Sequence, residues 1–393
     1  MIRAKSAFTS EIDDVVSAVA GIKEQLGGFD WLLENTVGML TCYSEFVDSD
    51  AVKELCRAMP FDVVGTTTIC NAVRDSSGNM LLTLLVLTSD DVEFSVGLSE
   101  PMSRADEAPL RKAWDEASSK LRERPAMMVT FAPLLIPVSG DFYADSLSNI
   151  SGGLPNFGML TVDNNSDYRD AQIIRGGESY RDRLALVLMA GNLSPRFAMA
   201  SISPEKIFME KGVVTSSRGN QVRTVNERPV AEYLESLGLK RNEEGSITGV
   251  NAFPFVVDYN DGTMPVVRVV FAITEEGYAV CGGDIPNGAT LSVGHIDSDE
   301  VLSTTTDLIT DAIMPPEPDC VLMFSCVGRY FALGYSPMSE LERVQKLMEE
   351  NGIPYQLTYS GGELCPVASD SGTRMKNRNH NDTFIMCLLY SGE

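Results

Sequence analysis

Apolar runs alternate with amphipathic segments along most of the 393-residue chain. Near the N-terminus, apolar residues recur at helical spacing from Ile12 to Leu26 and stop at a glycine pair, which predicts an amphipathic helix. Continuous apolar runs such as residues 126–135 and 320–326 are typical of buried strands. Because helix-like and strand-like segments follow each other, the pattern predicts an α/β fold with mixed β-sheets flanked by helices.

The order of elements recurs within the chain. A Ser-Val-Gly tripeptide starts at Ser95 and again at Ser292, and each copy is followed by a helix-like segment and a buried strand. We therefore expect two domains with internal pseudo-repeats. Residues 205–250 are more polar and predict two short strands, a short helix and a linker. We place the domain boundary there, between residues 1–228 and 229–393.

The last part of the chain brings several polar groups to one edge of a sheet. The run 320–326, a helix that stops at Gly352 and the run 354–360 form a strand–helix–strand path. Such a crossover leaves two parallel strands whose carboxyl ends share an edge, where ligands of open α/β sheets bind. If the strand at 383–389 pairs antiparallel, its start returns to that edge. The residues gathered there are Cys326, Arg329, Gly361, Gly362, Glu363, His380 and Asn381.

These residues have a functional and an ordinary structural interpretation. In a binding site, the glycine pair would permit close approach of a ligand, while Glu363 and Arg329 would bind an ammonium and a carboxylate. In the alternative, the glycines form a turn, Arg329 and Glu363 pair with each other, and His380 caps a loop. The residues alone leave both interpretations open.

Composition argues against several kinds of partner. Lys and Arg number 31 against 55 Asp and Glu, and the net charge of −24 repels phosphate backbones and anionic lipids. No basic patch is evident, and no apolar window has the length of a membrane span. The N-terminal segment has acidic residues where a signal peptide needs a continuous apolar stretch. We expect a cytoplasmic protein without nucleic-acid binding or membrane insertion.

Eight cysteines and two histidines limit metal chemistry. Cytoplasmic cysteines are reduced, and most of these lie inside apolar runs, as small buried residues do. No Cys-x-x-Cys pair occurs, and only His295 and His380 could complete a ligand set, so we predict no metal site. The glycine-rich segment 282–288 lacks the spacing of a phosphate-binding loop and is interpreted as a β-turn, so we predict no cofactor.

Several segments, taken in order, resemble the FIST family. Those that resemble the C-terminal FIST domain and the stretch upstream of it are residues 277–297, 320–329, 358–367 and 380–383. Those that resemble the N-terminal FIST domain are residues 63–73 and 220–238. The resemblance runs from about residue 30 to the end of the chain.

The resemblance implies a function that composition does not show. FIST domains are considered sensory modules of signal-transduction proteins that bind small ligands such as amino acids. The chain is therefore expected to bind a small molecule, with amino acids among the candidates, to catalyse no reaction and to signal through a separate protein. Carried over by position, the family's C-terminal signature falls on Phe324, Ser325, Cys326, Gly328, Arg329, Gly362, Glu363, Pro366, His380 and Asn381.

The sequence departs from the family pattern around the Gly-Glu pair. The family often has an aromatic residue before this pair and a glycine after it, whereas Gly361 and Cys365 stand at those places. A differently lined pocket would change the ligand preference, so no specific ligand is assigned. In the N-terminal domain, the turn with Thr66 and Thr67 would be the counterpart of the later glycine turn and would offer hydroxyls to a ligand.

Two other classes of function stay open. Cys326 or Cys365 as nucleophile, with His380 as base and an asparagine beside it, would make a cysteine-dependent enzyme. A catalytic thiol would have a depressed pKa and alkylate quickly near neutral pH. Alternatively, the chain is a non-catalytic interaction scaffold. The Arg-rich loop 164–183 bears on this choice, because it is a solvated loop, a partner-binding loop or a lid over an anionic ligand.

Overall fold

The computed structural model describes residues 1–136, 138–165, 167–243, 247–369, 372 and 375–391. The strands of these residues form four sheets. Three sheets are built on one pattern by three successive units of the chain, and the fourth is inserted into the third unit. The fold is thus α/β with mixed sheets flanked by helices, as the sequence predicts.

The three units have the same order of elements. Unit 1 contains β1 (Arg3–Thr9), α1 (Val15–Leu26), β2 (Asn35–Cys42), α2 (Glu45–Asp48), α3 (Ala51–Ala58), β3 (Asp62–Thr67), β4 (Asn71–Val73), β5 (Ser76–Gly78) and β6 (Leu82–Ser89). Unit 2 contains β7 (Val92–Leu98), α4 (Glu107–Ser118), β8 (Pro125–Ala132), α5 (Gly140–Ser151), β9 (Asn156–Leu160), β10 (Ile173–Arg175), β11 (Glu178–Tyr180) and β12 (Ala185–Gly191).

Unit 3 starts with β13 (Leu193–Ala200) and is then interrupted by the inserted sheet. The inserted sheet contains β14 (Gly212–Arg218), β15 (Gln221–Val225), β16 (Arg228–Pro229), α6 (Val230–Ser236), β17 (Phe255–Asp258), β18 (Val266–Arg268), β19 (Val270–Ile273), β20 (Ala279–Cys281) and β21 (Thr290–Val293). Unit 3 resumes with α7 (Ser298–Ala312), β22 (Cys320–Cys326), α8 (Val327–Ala332), α9 (Ser339–Asn351), β23 (Tyr355–Ser360), β24 (Glu363–Ala368), β25 (Met375–His380) and β26 (Phe384–Ser391). Short 3₁₀ turns lie at Pro204–Lys206 and Val250–Ala252.

Each unit forms a sheet around one parallel pair. The pairs β2/β3, β8/β9 and β22/β23 are parallel and are joined by helices, while the first and last strands of each unit pair antiparallel. The hairpin after each parallel pair leaves its own unit. Hairpin β4–β5 pairs with β23, β10–β11 with β3, and β24–β25 with β9. This cyclic exchange ties the three sheets into a closed ring.

The inner faces of the three sheets share one core. Met39, Val129 and Phe324, one from each sheet, belong to the same buried cluster. Phe157 and Phe324 stack across it with ring centroids 4.8 Å apart. Helices cover the outer faces with separate apolar layers, and the inserted sheet has a core of its own. Burial on both faces explains the continuous apolar runs of the central strands.

The internal similarity is confirmed, with one correction. The helix–strand pairs α4–β8 and α7–β22 are equivalent, as expected. The two Ser-Val-Gly strands are not, because β7 with Ser95 pairs with β12, whereas β21 with Ser292 pairs with β17 in the inserted sheet. The structural counterpart of β7 is β13, which pairs with β26. The division at residues 228 and 229 stays a prediction.

The sequence pattern did not predict two of the elements, strand β1 and helix α5. The N-terminal helix runs from Val15 to Leu26 and is capped by Gly27 with φ +70°, but residues 3–9 before it form an edge strand. Helix α5 was not predicted in the polar segment after β8.

Within the described ranges, no helix is both long and apolar enough to cross a membrane. In the same ranges, no group of three or more His, Cys, Asp and Glu side chains is placed to hold a metal ion.

Candidate functional site

A cavity of about 320 Å³ opens where β22 and β23 end, between unit 3 and the inserted sheet. Strands β22 and β23 are parallel with Cys326 opposite Ser360, and β26 runs antiparallel to β22. The segment before β26 therefore returns to the same edge, as predicted. Of the predicted site residues, Cys326, Gly361 and Asn381 line the cavity. The other eight lining residues were not predicted to bind the ligand, although Gly328 belongs to the family signature; they are Tyr168, Asn251, Val269, Phe271, Val327, Gly328, Phe331 and Asp382.

The Gly361-Gly362 pair joins the sheets of units 3 and 2 rather than forming an isolated turn. Gly361 N–H donates to Leu160 O at 2.9 Å, and Leu160 N–H donates to Gly362 O at 2.8 Å. Gly362 has φ +153°, where a side chain would be strained, and its Cβ would lie 3.2 Å from the Leu160 side chain. The pair thus lets two strands meet closely at the floor of the cavity.

Glu363 lies in the layer beneath the cavity. It is fully buried and accepts hydrogen bonds from the Ser360 and Thr383 hydroxyls. Burial raises the pKa of Glu363 to about 8, although the two hydroxyl donors act to lower it. The carboxyl is therefore mostly protonated at neutral pH. Direct contact of Glu363 with a ligand ammonium stays a prediction.

Arg329 is also a buried supporting residue. Its Nη2 lies 2.8 Å from Glu340 Oε1 and also donates to Val301 O at 2.9 Å and to Thr305 at 2.7 Å. The alternative pairing with Glu363 is wrong, because the buried partner is Glu340. Burial would raise the pKa of Glu340, but the guanidinium and nearby hydroxyls hold it below its usual value. The cavity lining does not include Arg329, so its predicted contact with a ligand carboxylate is untested.

His380 is buried on β25, and its ring contacts the backbone of the neighbouring strand β24. Its Nε2 lies 3.1 Å from the backbone oxygen of Cys365, which identifies Nε2 as the protonated nitrogen. Burial lowers the pKa of His380 to about 3, so the ring is neutral. Cys365 belongs to the central core. The structure therefore brings His380 to the site's edge without placing it in the cavity lining.

Asn381 and Asp382 are the polar residues of the lining with unused oxygens. They are 2% and 1% exposed, and Asn381 Oδ1 and Asp382 Oδ2 have no hydrogen-bond partner among the described residues. Asp382 has φ +51°, and its Oδ1 lies where a Cβ on Gly328 would come within 1.8 Å. Burial raises the pKa of Asp382 to about 7, opposed by the charge of Arg329.

Thr66 and Thr67 occupy the equivalent edge of unit 1 but lie outside the cavity lining. Both are fully buried. The Thr67 hydroxyl donates to Val162 O at 2.9 Å, and the Thr66 hydroxyl donates to Gln172 O at 3.2 Å. Their hydroxyls therefore join units 1 and 2, and their predicted ligand contact stays a prediction.

A second, wider cleft of about 750 Å³ adjoins the cavity and shares Phe271 and Gly361 with it. Asp141 on α5 lines this cleft, and its carboxylate pairs at 2.6 Å with the fully buried Arg268 of the inserted sheet. Gly283 was interpreted as part of a turn. The structure shows a further reason for glycine at this position, because a Cβ there would lie 2.5 Å from Asp141 Oδ2. The glycine pair in 282–288 was the sequence signal for this close approach.

The Arg-rich loop 164–183 does not present free arginines, though Ser166 lies outside the described residues. Residues 173–180 of it form the hairpin β10–β11. All four of its arginines have protein partners, in the pairs Arg169–Asp167, Arg175–Glu116, Arg181–Asp170 and Arg183–Ser99. Only its Tyr168, among the residues described, reaches the cavity lining. The arrangement offers an aromatic wall rather than a cationic lid.

Two family models match consecutive stretches of the chain. Residues 36–228 match the FIST N domain, and residues 229–366 match the FIST C domain. The chain belongs to the FIST family. FIST domains are sensory domains in signal transduction, which agrees with the expectation from the sequence. Comparison with curated protein sequences gives no match.

Two solved structures that match this FIST protein are distantly similar to it. A cyanuric acid hydrolase from A. caulinodans has a TM-score of 0.37 and 10% sequence identity, with 100% of each chain covered. T. maritima PurL complexed with FGAR has a TM-score of 0.21 and 8% identity, covering 99% of this chain and 72% of the other. Similarities at this level support no conclusion about function.

Proposed function

We propose that this FIST protein is a small-molecule sensor whose ligand binds in the 320 Å³ cavity beside Gly361. The observation that carries the proposal is the pair Asn381 and Asp382. Both line the cavity, both are nearly fully buried, and each has an oxygen without a partner among the described residues. Buried polar atoms without partners are rare, because each costs about 1–3 kcal/mol. A ligand that donates hydrogen bonds would remove this cost.

The cavity is placed to couple ligand binding to the position of the inserted sheet. Phe271 of β19 forms one wall, and Cys326 and Phe331 of unit 3 form another. A ligand in contact with both walls would favour one spacing between them and shift the population toward it. The altered surface would then be read by a separate signalling protein, and the chain itself would perform no chemistry.

The volume of the cavity suits a metabolite of amino-acid size, so amino acids, amines and organic acids are the candidate ligands. We also place the protein in the cytoplasm. All eight cysteines are unpaired and buried, as expected in a reducing compartment.

Cysteine catalysis is less well supported than sensing. Cys326 lines the cavity, but burial and the nearby carboxyls of Glu363 and Asp382 raise the pKa of its thiol well above the usual value. A nucleophilic thiol needs the opposite shift. His380, the proposed base, bonds to the backbone of Cys365 and is not part of the cavity lining.

The proposal is tested by thermal-shift screening of amino acids, amines and organic acids against three proteins. These are the wild type, Phe271→Ala and the control Met209→Ala, whose side chain is 97% exposed. Phe271 is itself 62% exposed, so its truncation has little effect on folding. A ligand at about 100 times its Kd stabilises by about 2.7 kcal/mol. We expect a shift in the wild type and the control that is lost in Phe271→Ala. No shift with any compound, or one that Phe271→Ala retains, would refute the proposal.

A further inference from the structure

We infer that the cavity is built for an organic cation, a primary ammonium on an apolar body without a carboxylate. The inference rests on the proposed function and narrows its ligand class. It follows from three features of the described lining, which are its unused acceptors, its aromatic rings and the signs of its charges.

The unused oxygens are hydrogen-bond acceptors. Asp382 Oδ2 and Asn381 Oδ1 belong to neighbouring residues and are buried without partners among the described residues. A carboxylate accepts only, and the Asn381 oxygen accepts as well, so both call for a donor. A primary ammonium has three N–H donors and no acceptor, so it can pair with either oxygen.

Three aromatic rings surround the same space. Tyr168, Phe271 and Phe331 come from the loop before β10, from the inserted sheet and from α8. Phe271 and Phe331 are 62% and 58% exposed, which is unusual for side chains of this size. Ring faces attract cations and also pack against an apolar body. The rings therefore fit an aromatic or aliphatic amine.

The charges of the lining disfavour an anion. Among the described residues that line the cavity there is no Lys, Arg or His. Arg329 lies behind the wall and is paired with Glu340. The carboxylate of an amino acid would therefore face Asp382 without a positive partner. The net charge of −24 also raises the local concentration of cations over anions.

Binding of a cation would be coupled to release of a proton. The groups that act on Asp382 are the guanidinium of Arg329, the carboxyl of Glu363 and the thiol of Cys326. The pKa of Asp382 is about 7. At pH 6 its carboxyl is therefore mostly protonated, and an ammonium would require it to ionise. We expect about one proton released per amine at pH 6, and an affinity that rises as pH increases toward 7.

The experiment is isothermal titration calorimetry of the full chain with phenethylamine, L-phenylalanine and 3-phenylpropionate. These probes share a phenyl ring and differ in the polar group. We expect phenethylamine to bind at least about tenfold more tightly than either of the others. Titrations at pH 6 in buffers of different ionisation enthalpy give the number of protons released, and they need no variant.

Two variants locate the effect. Asp382→Asn keeps a side chain that tolerates the positive φ and removes the charge, while Asp13→Asn makes the same charge change on an exposed residue. Loss of tight amine binding and proton release in Asp382→Asn alone supports the inference. The inference is overturned if L-phenylalanine or 3-phenylpropionate binds as tightly as the amine, or if the screen yields only non-cationic ligands. In either case the proposed function stands when Phe271→Ala abolishes the binding that is observed. If no compound binds, both are overturned.

Discussion

Replacement of Arg329 by methionine is the sharpest test of how the site is supported. The Arg329 side chain is fully buried and makes two bonds to Glu340, at 3.0 and 2.8 Å. Methionine fills much of the same volume but cannot neutralise the carboxylate. Arg329→Met therefore leaves a buried negative charge whose remaining donors are the hydroxyls of Thr305, Ser325 and Tyr359.

The expected loss of stability follows from that contact set. Removing one partner of a buried ion pair costs about 3–5 kcal/mol. Because three hydroxyls still donate to Glu340, we expect the lower end, about 3 kcal/mol. Without Arg329, burial raises the pKa of Glu340, so the folded state holds a proton that the unfolded chain loses above pH ~4.5. The loss of stability in Arg329→Met should therefore grow as pH rises, by up to about 1.4 kcal/mol per pH unit.

The assay is urea unfolding followed by far-UV circular dichroism at pH 5 and pH 8. Arg343→Met is the matched control, because Arg343 is half-buried and donates a hydrogen bond to the neutral Thr306 hydroxyl. We expect the control to lose less than about 1 kcal/mol. The double variant Arg329→Met/Glu340→Leu should recover part of the stability, since it removes the uncompensated charge.

One result would refute this reasoning. If Arg329→Met unfolds within about 1 kcal/mol of the wild type at both pH values and yet abolishes ligand binding, Arg329 contacts the ligand rather than supporting the fold. The prediction from the sequence that Arg329 binds a carboxylate would then be favoured over the supporting role.

Three further predictions concern the cavity and its surroundings. Gly328→Ala should abolish ligand binding in calorimetry, because the new Cβ would lie 1.8 Å from Asp382 Oδ1, whereas Gly21→Ala has nothing within 4 Å and should bind normally. Equal binding by both variants would contradict this placement. Cys326 should react with iodoacetamide at pH 7.5 at least about tenfold more slowly than free cysteine, since burial raises its pKa. A rate equal to or above that of free cysteine, located at Cys326 by mass spectrometry, would favour the enzyme alternative. The ordinary pKa of Glu363 is 4.5 and its folded value is about 8, so the folded state holds the extra proton and stability should fall as pH rises through that window. Glu363→Gln should flatten this dependence in urea unfolding, and an unchanged slope would show that Glu363 is not its source.

Much of unit 3 could be predicted from local pattern. The run 320–326 is continuously apolar, and the structure buries all seven of its residues. The amphipathic helix before Gly352 and the strand after it fix a parallel pair, because a right-handed crossover leaves no other arrangement. That argument placed Cys326, Gly361 and Asn381 at one edge, and all three line the cavity.

The pairing of the hairpin 363–380 could not be predicted in this way. It leaves its own unit and pairs with β9, about 200 residues away in the chain. The polar sequence of its second strand, β25, looks like a loop, because its buried residues contact another unit, as Asn377 does with Ser148 and Leu154 of unit 2. The role of helix α5 was hidden for a similar reason, since Asp141 is explained only by Arg268 of the inserted sheet.

By itself, the sequence determined β22, α9, β23 and β26 of unit 3, the edge where they meet and the family to which the chain belongs. These depend on burial patterns and spacings that operate over a few tens of residues. The tertiary structure decided which charges pair. Glu340 and Glu363 are both fully buried carboxyls near Arg329. Glu340 forms the ion pair with the guanidinium, whereas Glu363 is mostly protonated at neutral pH. Coulomb energy and desolvation depend on distances of a few ångströms, and only the packed fold sets those distances.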